Sequence, residues 1–541
     1  MSEPERRLVP ALAPWEDMRK AFRWPVLKRF NIADVCCEEW ARFCPEKVAI
    51  VQIGAGGARR EITYGALSEA SNRLANVLRD GGVGQGDRVA VYLAQSAEVL
   101  IAHMAAYKLG AIVLPLFTLF GAEALEYRLA DSGAAAVVSD RANLPKLAGL
   151  RDRLPDLRLV LSVDGPAEGA LDWQGAQAEA SPDFTPVETM AEDPAVLIYT
   201  SGTTGPPKGA LHAHRFLIGH LPSMECHHEG FPQPGDKGWT PADWAWIGGL
   251  MDMAIPCLYY GVPLVAHRMA KFDPAAAWAL IAHEGIRNLF LPPTALKLMR
   301  GAEVPAGVDI RTIGSGGESL GAEILAWGRE MLGVGINEIY GQTECNLVLA
   351  SCHGTMEVRP GSMGKAVPGH EVAVIDADGR EMPPGEIGEI AVRRPDPVMF
   401  LGYWKQPEKT AGKFTGDWMR TGDLGRRDAE GYFTFVARDD DVITSAGYRI
   451  GPTEIETCLA GHPDVVMAAA VGVPDPERTE VVKAYVVLRE GAARDGLEAE
   501  LIARVRARVS PHVAPRSIEA IDEMPMTATG KIMRRALRDR G

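Results

Sequence analysis

The sequence predicts an α/β protein, with a large N-terminal domain of helix-covered sheets, a β subdomain and a small mobile α+β C-terminal domain. Short apolar runs rich in β-branched residues, such as DRVAVYLA and AAAVVSD, alternate with helical stretches, which is typical of parallel sheets covered by helices. From about His370 the chain instead alternates strands around tight turns such as Asp378-Gly379. This change indicates an antiparallel β subdomain over about 365–437.

A polar run, Arg438–Asp441, marks the predicted domain boundary. Because this run is too polar to continue the preceding strand, we expect an N-terminal domain over 1–439 and a C-terminal domain over 440–541. Just beyond the boundary, Thr453 and Glu456 have the spacing of a capping box. That spacing predicts that a helix begins there.

Hydrophobic spacing predicts the elements within the large domain. Leu67, Leu74 and Leu78 fall on one face of a helix that is expected to end at Gly81. The most apolar stretch, 244–266, is long enough to cross a bilayer, but glycine and proline residues interrupt it. We therefore expect a buried helix followed by a strand rather than a membrane span.

The composition argues against several classes of function. The chain has 541 residues, with 57 Lys and Arg against 71 Asp and Glu, and its net charge of −14 is opposite to the basic surface that nucleic-acid binding requires. The eight cysteines include no Cys-x-x-Cys pair, which argues against a disulfide framework or a zinc site. Reduced thiols, and an N-terminus without the apolar core of a signal peptide, predict a cytoplasmic protein.

The strongest local motif is YTSGTTGPPKG at 199–209, directly after an apolar strand. Small side chains, hydroxyl groups and bare backbone N–H groups can surround a polyphosphate, and Lys208 adds a cation. The residue order is not that of a P-loop, which argues against a mechanical NTPase. We therefore expect phosphate binding by Thr200, Ser201, Gly202, Thr203, Thr204, Gly205 and Lys208.

Two groups of residues have metal-ligand side chains. The adjacent residues Cys226–Glu229 cannot readily all face one ion, so we expect a surface loop there. His212 and His214 have strand spacing and therefore lie on one side of the chain. We expect them to line the edge of the nucleotide site rather than to bind a metal.

Six motifs in family order resemble those of the adenylate-forming acyl-CoA synthetases, whose superfamily also contains luciferases and peptide-synthetase adenylation domains. The resemblance spans most of the chain and is greatest to the medium-chain and short branched-chain type. Besides the phosphate loop, the motifs are GSGGESL (314–320), NEIYGQTE (337–344), TGDLG (421–425), RDDDVITSAGYRIGPTEIE (438–456) and TATGKIMRR (527–535).

The resemblance implies a role for each matching residue. Lys531 would stabilise negative charge as the carboxylate attacks the α-phosphate. Asp440 occupies the hinge position of the family. The remaining implied roles are adenine binding by Gly317, Glu318 and Tyr340, contact with the α-phosphate by Thr343, magnesium binding by Glu344 and Thr203, ribose binding by Asp423 with Arg438 nearby, and coenzyme A binding by Gly447 and Arg449.

The implied reaction has two steps and uses ATP, Mg²⁺ and coenzyme A. A carboxylate first attacks ATP to give an acyl-adenylate, and the thiol of coenzyme A then displaces AMP. A stand-alone enzyme that loads a carrier protein would share the first step. A non-catalytic AMP-binding protein is the other alternative, and the presence of Lys531 and Glu344 argues against it. A homo-oligomer is compatible with the sequence.

The size of the acid is inferred from Gly341. Acetyl and propionyl members of the family carry Trp at this position, where the indole closes the pocket, so glycine is expected to leave that volume open. Alternatively, Gly341 only permits a tight backbone turn. The other expected lining residues are Trp246, Gly249, Leu250 and Cys345. These residues predict an acid larger than acetate, with the acid itself, the pathway and any regulation by modification of Lys531 left open.

Overall fold

The computed structural model describes nine parts of the chain. They are residues 6–9, 12–200, 206–318, 320–438, 441–445, 448–475, 479–511, 513–527 and 531–540. Within these residues, two large sheets covered by helices, a smaller antiparallel sheet and a separate C-terminal sheet form the molecule. The α/β fold class that the sequence predicts is confirmed.

The strands are numbered in chain order. Those up to the β subdomain are β1 (Val48–Ile53), β2 (Arg59–Thr63), β3 (Arg88–Tyr92), β4 (Ile112–Pro115), β5 (Ala134–Ser139), β6 (Leu159–Ser162), β7 (Leu171–Asp172), β8 (Pro194–Thr200), β9 (Lys208–Ala213), β10 (Gly238–Trp239), β11 (Leu264–His267), β12 (Asn288–Phe290), β13 (Thr312–Gly316), β14 (Ile336–Gln342), β15 (Cys345–Ala350) and β16 (Lys365–Ala366). The later strands are β17 (Val372–Ile375), β18 (Ile387–Arg393), β19 (Gly402–Tyr403), β20 (Phe414–Thr415), β21 (Trp418–Arg427), β22 (Phe433–Arg438), β23 (Ile443–Ser445), β24 (Tyr448–Ile450), β25 (Val465–Asp475), β26 (Thr479–Leu488) and β27 (Ser517–Ala520).

The helices pack against the large sheets and against the C-terminal sheet. They are α1 (Trp15–Ala21), α2 (Glu39–Phe43), α3 (Tyr64–Asp80), α4 (Ala97–Lys108), α5 (Ala122–Ser132), α6 (Leu144–Ala148), α7 (Trp173–Glu179), α8 (Phe216–His227), α9 (Ile247–Gly249), α10 (Ile255–Tyr260), α11 (Pro274–Glu284), α12 (Pro293–Arg300), α13 (Ala322–Met331), α14 (Pro407–Ala411), α15 (Pro452–Ala460), α16 (Leu497–Arg508) and α17 (Arg534–Arg538). Two segments, Asp34–Glu38 and Leu250–Ala254, are π-helical, and Ala55–Gly57 and Arg151–Arg153 are 3-10 turns.

The two large sheets meet at the site that the motifs predict. The strand order in one is β16-β15-β14-β13-β12-β10-β11-β1-β2, and in the other it is β19-β9-β8-β4-β3-β5-β6-β7. Strands β3, β4, β5 and β6 pair in parallel, as the alternating pattern predicts. The motif-bearing hairpin β14–β15 lies near one edge of the first sheet, and β9 lies near one edge of the second.

The hydrophobic predictions for the large domain hold. Helix α3 ends at Asp80 with Gly81 as its cap, and the three leucines on its predicted face are fully buried. The apolar stretch 244–266 forms α9, a π-helical segment, α10 and then β11. Among the described residues, no helix combines the length and the apolarity needed to cross a bilayer.

The prediction of a surface loop at Cys226–Glu229 is wrong. Cys226 and His227 are the last residues of α8, and both are fully buried together with His228. Helix α8 is buried along its whole length and packs against β13, β14 and β15. His228 hydrogen-bonds Thr312 at 2.7 Å, and burial holds its pKa well below the usual range. These histidines are neutral core residues.

The C-terminal sheet contains β23 to β27, with α15 and α16 packed on it. Helix α15 begins at Pro452, where the capping-box spacing predicts a helix start, but Glu456 does not cap it. Glu456 instead accepts a hydrogen bond from the Ala470 backbone and pairs with Arg534. The predicted start is therefore correct although the predicted contact is not.

Helix α8 lies very close to the backbone of Val398 at Gly219. A Cβ added at Gly219 would lie 2.4 Å from the Val398 nitrogen. We expect Gly219→Ala to lower the free energy of unfolding by about 1–3 kcal/mol, because the rigid backbone cannot yield and the clash outweighs the better helix propensity of alanine. Chemical denaturation of the purified protein measures this loss.

Gly149→Ala is the matched control. Gly149 has helical dihedrals and its nearest atoms would be 4.0 Å from an added Cβ. We expect this substitution to leave stability unchanged or to raise it by up to about 1 kcal/mol. Equal stability of both variants would contradict the proposed constraint at Gly219.

Candidate active site

A two-residue turn between β14 and β15 is the centre of the candidate site. Gln342 pairs with Cys345, so Thr343 and Glu344 form the turn. The Glu344 carboxylate accepts a hydrogen bond from the hydroxyl of Tyr403, which lies on β19. The turn is thereby connected to the second large sheet.

The second sheet brings a cation to the same place. Strand β19 pairs with β9, whose first residue is Lys208. The Lys208 ammonium lies 4.9 Å from the centre of the Tyr403 ring and interacts electrostatically with Glu344. Burial lowers the pKa of Lys208, and the neighbouring carboxylate opposes that effect. A polyphosphate here would therefore meet both a lysine and a carboxylate.

The phosphate loop itself lies outside the described residues. This holds for Ser201, Gly202, Thr203, Thr204 and Gly205. The two strands that flank the loop are described, and Thr200 at the end of β8 pairs with Lys208 at the start of β9. The ends of the loop are therefore adjacent and lie beside the Thr343–Glu344 turn.

Strands β21 and β22 bring a carboxylate and a guanidinium together. Asp423 and Arg438 are directly opposite each other, with 3.1 Å between Asp423 Oδ1 and Arg438 Nε. The Tyr340 hydroxyl donates to Asp423 Oδ2 at 2.7 Å. Burial raises the pKa of Asp423, and the positive charge of Arg438 opposes that rise. The arrangement places a carboxylate, which can accept hydrogen bonds from ribose hydroxyls, beside an aromatic ring, which can stack on adenine.

The segment after β13 forms another wall. Gly317 is exposed and has a φ of +96°, which favours glycine over other residues. The neighbouring Glu318 carboxylate lies 3.4 Å from the Thr294 hydroxyl, and burial raises its pKa. The Trp246 ring packs close to Gly317, at 3.3 Å from where a Cβ would be.

The C-terminal domain contributes Lys531 to this cleft. The backbone of Lys531 is held in a hairpin, because its oxygen accepts from the Thr527 nitrogen at 2.7 Å and its nitrogen donates to Thr527 Oγ1 at 3.0 Å. The residue is solvent-exposed, and its ammonium interacts electrostatically with Asp423, Arg438 and Glu318. Partial desolvation lowers the pKa of Lys531, and the neighbouring carboxylates oppose that effect.

An ion-pair network supports this hairpin. Arg534, three residues after Lys531, pairs with Glu456 at 2.8 Å and with Asp441 at 3.2 Å. Arg538 also pairs with Asp441, at 2.8 Å. The network connects the Lys531 hairpin to α15 and to the start of the C-terminal domain.

Comparisons with known proteins agree with this geometry. Residues 37–404 match the AMP-binding enzyme family, and residues 454–531 match the AMP-binding enzyme C-terminal domain. The chain belongs to the AMP-binding enzyme family. Within it, an acetyl-coenzyme A synthetase of Bacillus subtilis is 36% identical, covering 88% of this chain and 84% of that protein.

Further relatives of this AMP-binding enzyme include a human mitochondrial acyl-coenzyme A synthetase, ACSM4, which is 35% identical over 98% of this chain and 93% of its own length. A crystal structure of the anthranilate CoA ligase AuaEII in complex with anthranoyl-AMP is 28% identical, with a TM-score of 0.88, covering 95% of this chain and 98% of that one. The AMP-binding enzyme described here is accordingly an AMP-forming acid–thiol ligase that uses ATP and forms a coenzyme A thioester.

Two further predicted residues, and the side chain of a third, lie outside the described residues. The predicted hinge residue Asp440 and the predicted coenzyme A-binding residue Gly447 lie outside the described residues. Arg449 lies on β24, and its side chain is outside the described part. Their roles stay predictions.

The prediction that Gly341 leaves an open volume is wrong. A Cβ at Gly341 would lie 2.3 Å from the Leu347 nitrogen and 2.8 Å from the Asn346 Cα, so that direction is filled by the backbone of β15. Gly249 is similar, because its Cβ would lie 2.4 Å from the Asp243 carbonyl oxygen. Both glycines permit close backbone contacts in this AMP-binding enzyme, which was the alternative interpretation for Gly341.

Two other predicted lining residues are core residues. Cys345 is fully buried and packs in the cluster that includes Val348 and Met399, on the side of the β subdomain. Leu250 is fully buried in the main core of the large domain. Of the expected lining residues, Trp246 is partly accessible and packs against Phe290. The predicted set of five lining residues therefore needs revision.

The two histidines after the phosphate loop have different surroundings. His212 is buried against the backbone of Thr343, and burial lowers its pKa to about 3. His214 accepts a hydrogen bond from the Ile32 nitrogen at 3.2 Å and packs against Tyr107. His212 thus packs against the backbone of the Thr343–Glu344 turn. The prediction that His214 lines the edge of the nucleotide site is wrong, because His214 lies in the core.

Sequence reasoning missed three side chains of the site. Tyr403 orients Glu344, as described above. The Lys413 ammonium donates to Gln342 Oε1 at 3.2 Å and interacts with Asp423, and the Gln342 amide donates to the Thr421 carbonyl at 3.0 Å. Tyr403 and Lys413 lie outside the six motifs, whereas Gln342 lies inside NEIYGQTE but was assigned no role.

The corrected interpretation of Gly341 makes a prediction. We expect Gly341→Ala to lower the free energy of unfolding by about 1–3 kcal/mol, because the added Cβ displaces the β15 backbone rather than filling the acyl pocket. For the same reason, we expect kcat/KM to fall by the same factor for acetate, butanoate and benzoate. Thermal unfolding and thioester formation with each acid measure this.

The alternative of an open acyl volume gives a different result. It predicts a stable variant whose activity with benzoate falls while its activity with acetate is kept. That selective pattern would contradict the close backbone contact at Gly341. Gly149→Ala again serves as the control for the effect of adding a methyl group.

Proposed function

We propose that this enzyme activates a carboxylic acid with magnesium-ATP and transfers the acyl group to coenzyme A. The observation that carries the proposal is the electrostatic interaction of the Lys531 ammonium with Asp423, Arg438 and Glu318. A cation from the C-terminal domain thus meets the residues expected to hold the nucleotide. This is the arrangement that attack on an α-phosphate requires.

In the first step, a carboxylate oxygen of the acid attacks the α-phosphorus of ATP, and the bond to pyrophosphate breaks. Lys531 stabilises the negative charge that develops on the α-phosphate oxygens. Asp423 accepts hydrogen bonds from the ribose hydroxyls, and Thr343 binds the α-phosphate. The ring of Tyr340, held by its hydrogen bond to Asp423, supports adenine beside Gly317 and Glu318.

The residues at the turn fit a magnesium ion. The carboxylate of Glu344 is a hard oxygen ligand, it is nearly buried, and Tyr403 engages one of its two oxygens. Thr203, the other expected ligand, lies outside the described residues. When bound, Mg²⁺ neutralises phosphate charge. Lys208 provides further positive charge for the leaving pyrophosphate.

In the second step, the sulfur of coenzyme A attacks the acyl carbon, and AMP leaves with one oxygen of the original carboxylate. We propose that residues 440–541 rotate about Asp440 between the steps, so that Lys531 withdraws and Gly447 and Arg449 approach the thiol. The pairs of Arg534 with Glu456 and Asp441 support this proposal, because they keep the Lys531 hairpin fixed within the moving domain.

A cytoplasmic location is part of the proposal. All eight cysteines lie in the described part of the chain, and all are free thiols. Reduced cysteines are expected where glutathione and thioredoxin keep thiols reduced.

A screen of carboxylic acids tests the proposed function. Pyrophosphate release is measured for each acid with no acceptor, with coenzyme A and with a phosphopantetheinylated carrier protein. We expect acid-dependent pyrophosphate release and a thioester with coenzyme A. A thioester with the carrier protein alone would favour the carrier-loading alternative, and no pyrophosphate release with any acid would contradict catalysis.

The role of Lys531 makes a sharper prediction. We expect Lys531→Ala to reduce the rate of adenylation by about 10²- to 10³-fold and to leave thioester formation from supplied acyl-AMP within about threefold of wild type, because the cation acts only in the first step. Pyrophosphate release and thioester formation from synthetic acyl-AMP report the two steps separately.

Lys483→Ala is the matched control. Lys483 belongs to the same domain, and its ammonium pairs with Glu519 at 3.1 Å on the C-terminal sheet. We expect both half-reactions of this variant to proceed at wild-type rates. Equal losses in both half-reactions of Lys531→Ala would rule out the assigned role.

A further inference from the structure

A lysine beside the candidate site has no role in the reaction described above. Lys413 lies between α14 and β20, and its ammonium donates to Gln342 Oε1 at 3.2 Å. The same ammonium donates to the backbone carbonyls of Arg420 and Thr421, at 2.9 Å and 3.4 Å. All three acceptors are uncharged oxygens, and together they match the three N–H donors of a lysine.

The backbone of Lys413 is fixed beside the strand that carries Asp423. Helix α14 ends at Ala411, and the chain then enters the β20–β21 hairpin. At the open end of this hairpin, the Lys413 carbonyl accepts a hydrogen bond from the Arg420 nitrogen at 2.7 Å. The side chain is therefore held at both ends, by the hairpin at its backbone and by three oxygens at its ammonium.

The oxygens that bind this ammonium belong to a contact between β14 and β21. The Tyr340 hydroxyl donates to Asp423, and the Gln342 amide donates to the Thr421 carbonyl at 3.0 Å. Gln342 is the last residue before the Thr343–Glu344 turn, whereas Asp423 is the expected ligand of ribose. The two hydrogen bonds therefore join the part of the site expected to bind phosphate to the part expected to bind ribose.

The contact between Gln342 and Thr421 depends on Lys413. The ammonium lies among three oxygens that would otherwise repel one another, and a charged donor forms stronger hydrogen bonds than a neutral one. Without it, one neutral hydrogen bond would hold Gln342 to Thr421. Thr421 is in turn connected to Asp423, because its Oγ1 accepts from the Asp423 nitrogen at 3.1 Å.

We propose that Lys413 is a positioning residue for the nucleotide, and that it fixes the spacing between the Thr343–Glu344 turn and the ribose carboxylate of Asp423. The inference rests on the proposed function. AMP engages both ends of this spacing, through its phosphate and its ribose, whereas adenosine engages only the ribose end. A change in the spacing therefore weakens the binding of AMP more than the binding of adenosine.

An effect of charge alone would have a different signature. Lys413 interacts electrostatically with Lys208, so the loss of its charge would itself weaken the attraction of a phosphate. Lys409 lies one helical turn earlier and also interacts electrostatically with Lys208. The hydrogen bonds to Gln342 and Thr421 come from Lys413. Lys409→Met therefore serves as the matched control for the loss of one charge.

Nucleotide affinities measured by isothermal titration calorimetry test the proposal. AMP is titrated directly, and adenosine is measured by its displacement of bound AMP. We expect the ratio of AMP affinity to adenosine affinity to fall about tenfold in Lys413→Met, because hydrogen bonds from a charged donor are lost. Protein that does not fold lowers the fitted stoichiometry and not the affinity. A loss of stability alone would therefore leave the ratio unchanged.

Two further variants assign the effect to the hydrogen-bonded contact. We expect Lys409→Met to keep the ratio within about twofold of wild type. Gln342→Leu breaks the contact without removing a charge, and we expect it to lower the ratio about tenfold as well. The double variant with Lys413→Met is expected to lose no more than either single variant, because the two side chains act as a unit.

Three outcomes would overturn the proposal. They are an unchanged ratio in folded Lys413→Met, equal falls in Lys413→Met and Lys409→Met, and additive losses in the double variant. If Lys413→Met does not fold, Gln342→Leu takes its place, and an unchanged ratio in that variant would overturn the proposal. A wild-type enzyme that binds neither AMP nor adenosine would instead contradict the proposed function on which the inference rests.

Discussion

The backbone contact between Gly341 and Leu347 is the constraint on which the candidate site depends. Because strand β15 passes so close to β14, the chain can reverse within the two residues Thr343 and Glu344. The side chains around the turn then reach separate parts of the molecule. Tyr340 reaches Asp423, Glu344 reaches Tyr403, and Asn346 reaches Asp252. A small shift of this hairpin would therefore alter the contacts with Asp423, Tyr403 and Asp252 together.

The architecture could be predicted because it depends on local chemistry that the sequence displays. Alternating β-branched runs and amphipathic helices determine the sheet-and-helix layers, and α3 with its three buried leucines is an example. The pairing of Asp423 with Arg438 was expected only from the motifs. The structure adds its cause, which is the antiparallel register of β21 and β22.

The wrong predictions have a common physical origin. The identity of a residue does not reveal the direction in which its side chain points, or, for glycine, the direction in which a Cβ would point. Gly341 has no side chain, but the direction its Cβ would take is filled by backbone, and the positive φ of Leu347 has no signature in the sequence. Cys345 was expected to line the acyl pocket, but it packs in the hydrophobic cluster on the side of the β subdomain. His228 has the chemistry of a metal ligand and is a neutral core residue. Tyr403 and Lys413 reach the site through tertiary contacts that no local pattern encodes.

The central claim is that the carboxylate of the acid attacks the α-phosphorus of ATP and that AMP leaves with one of its oxygens. Mass spectrometry of AMP, after turnover of an acid labelled with ¹⁸O in both carboxylate oxygens, tests this most directly. The account predicts one ¹⁸O atom in each AMP formed, and none in pyrophosphate. Unlabelled AMP, or label in inorganic phosphate released together with ADP, would contradict an acyl-adenylate and with it the roles assigned to Lys531, Glu344 and Asp423.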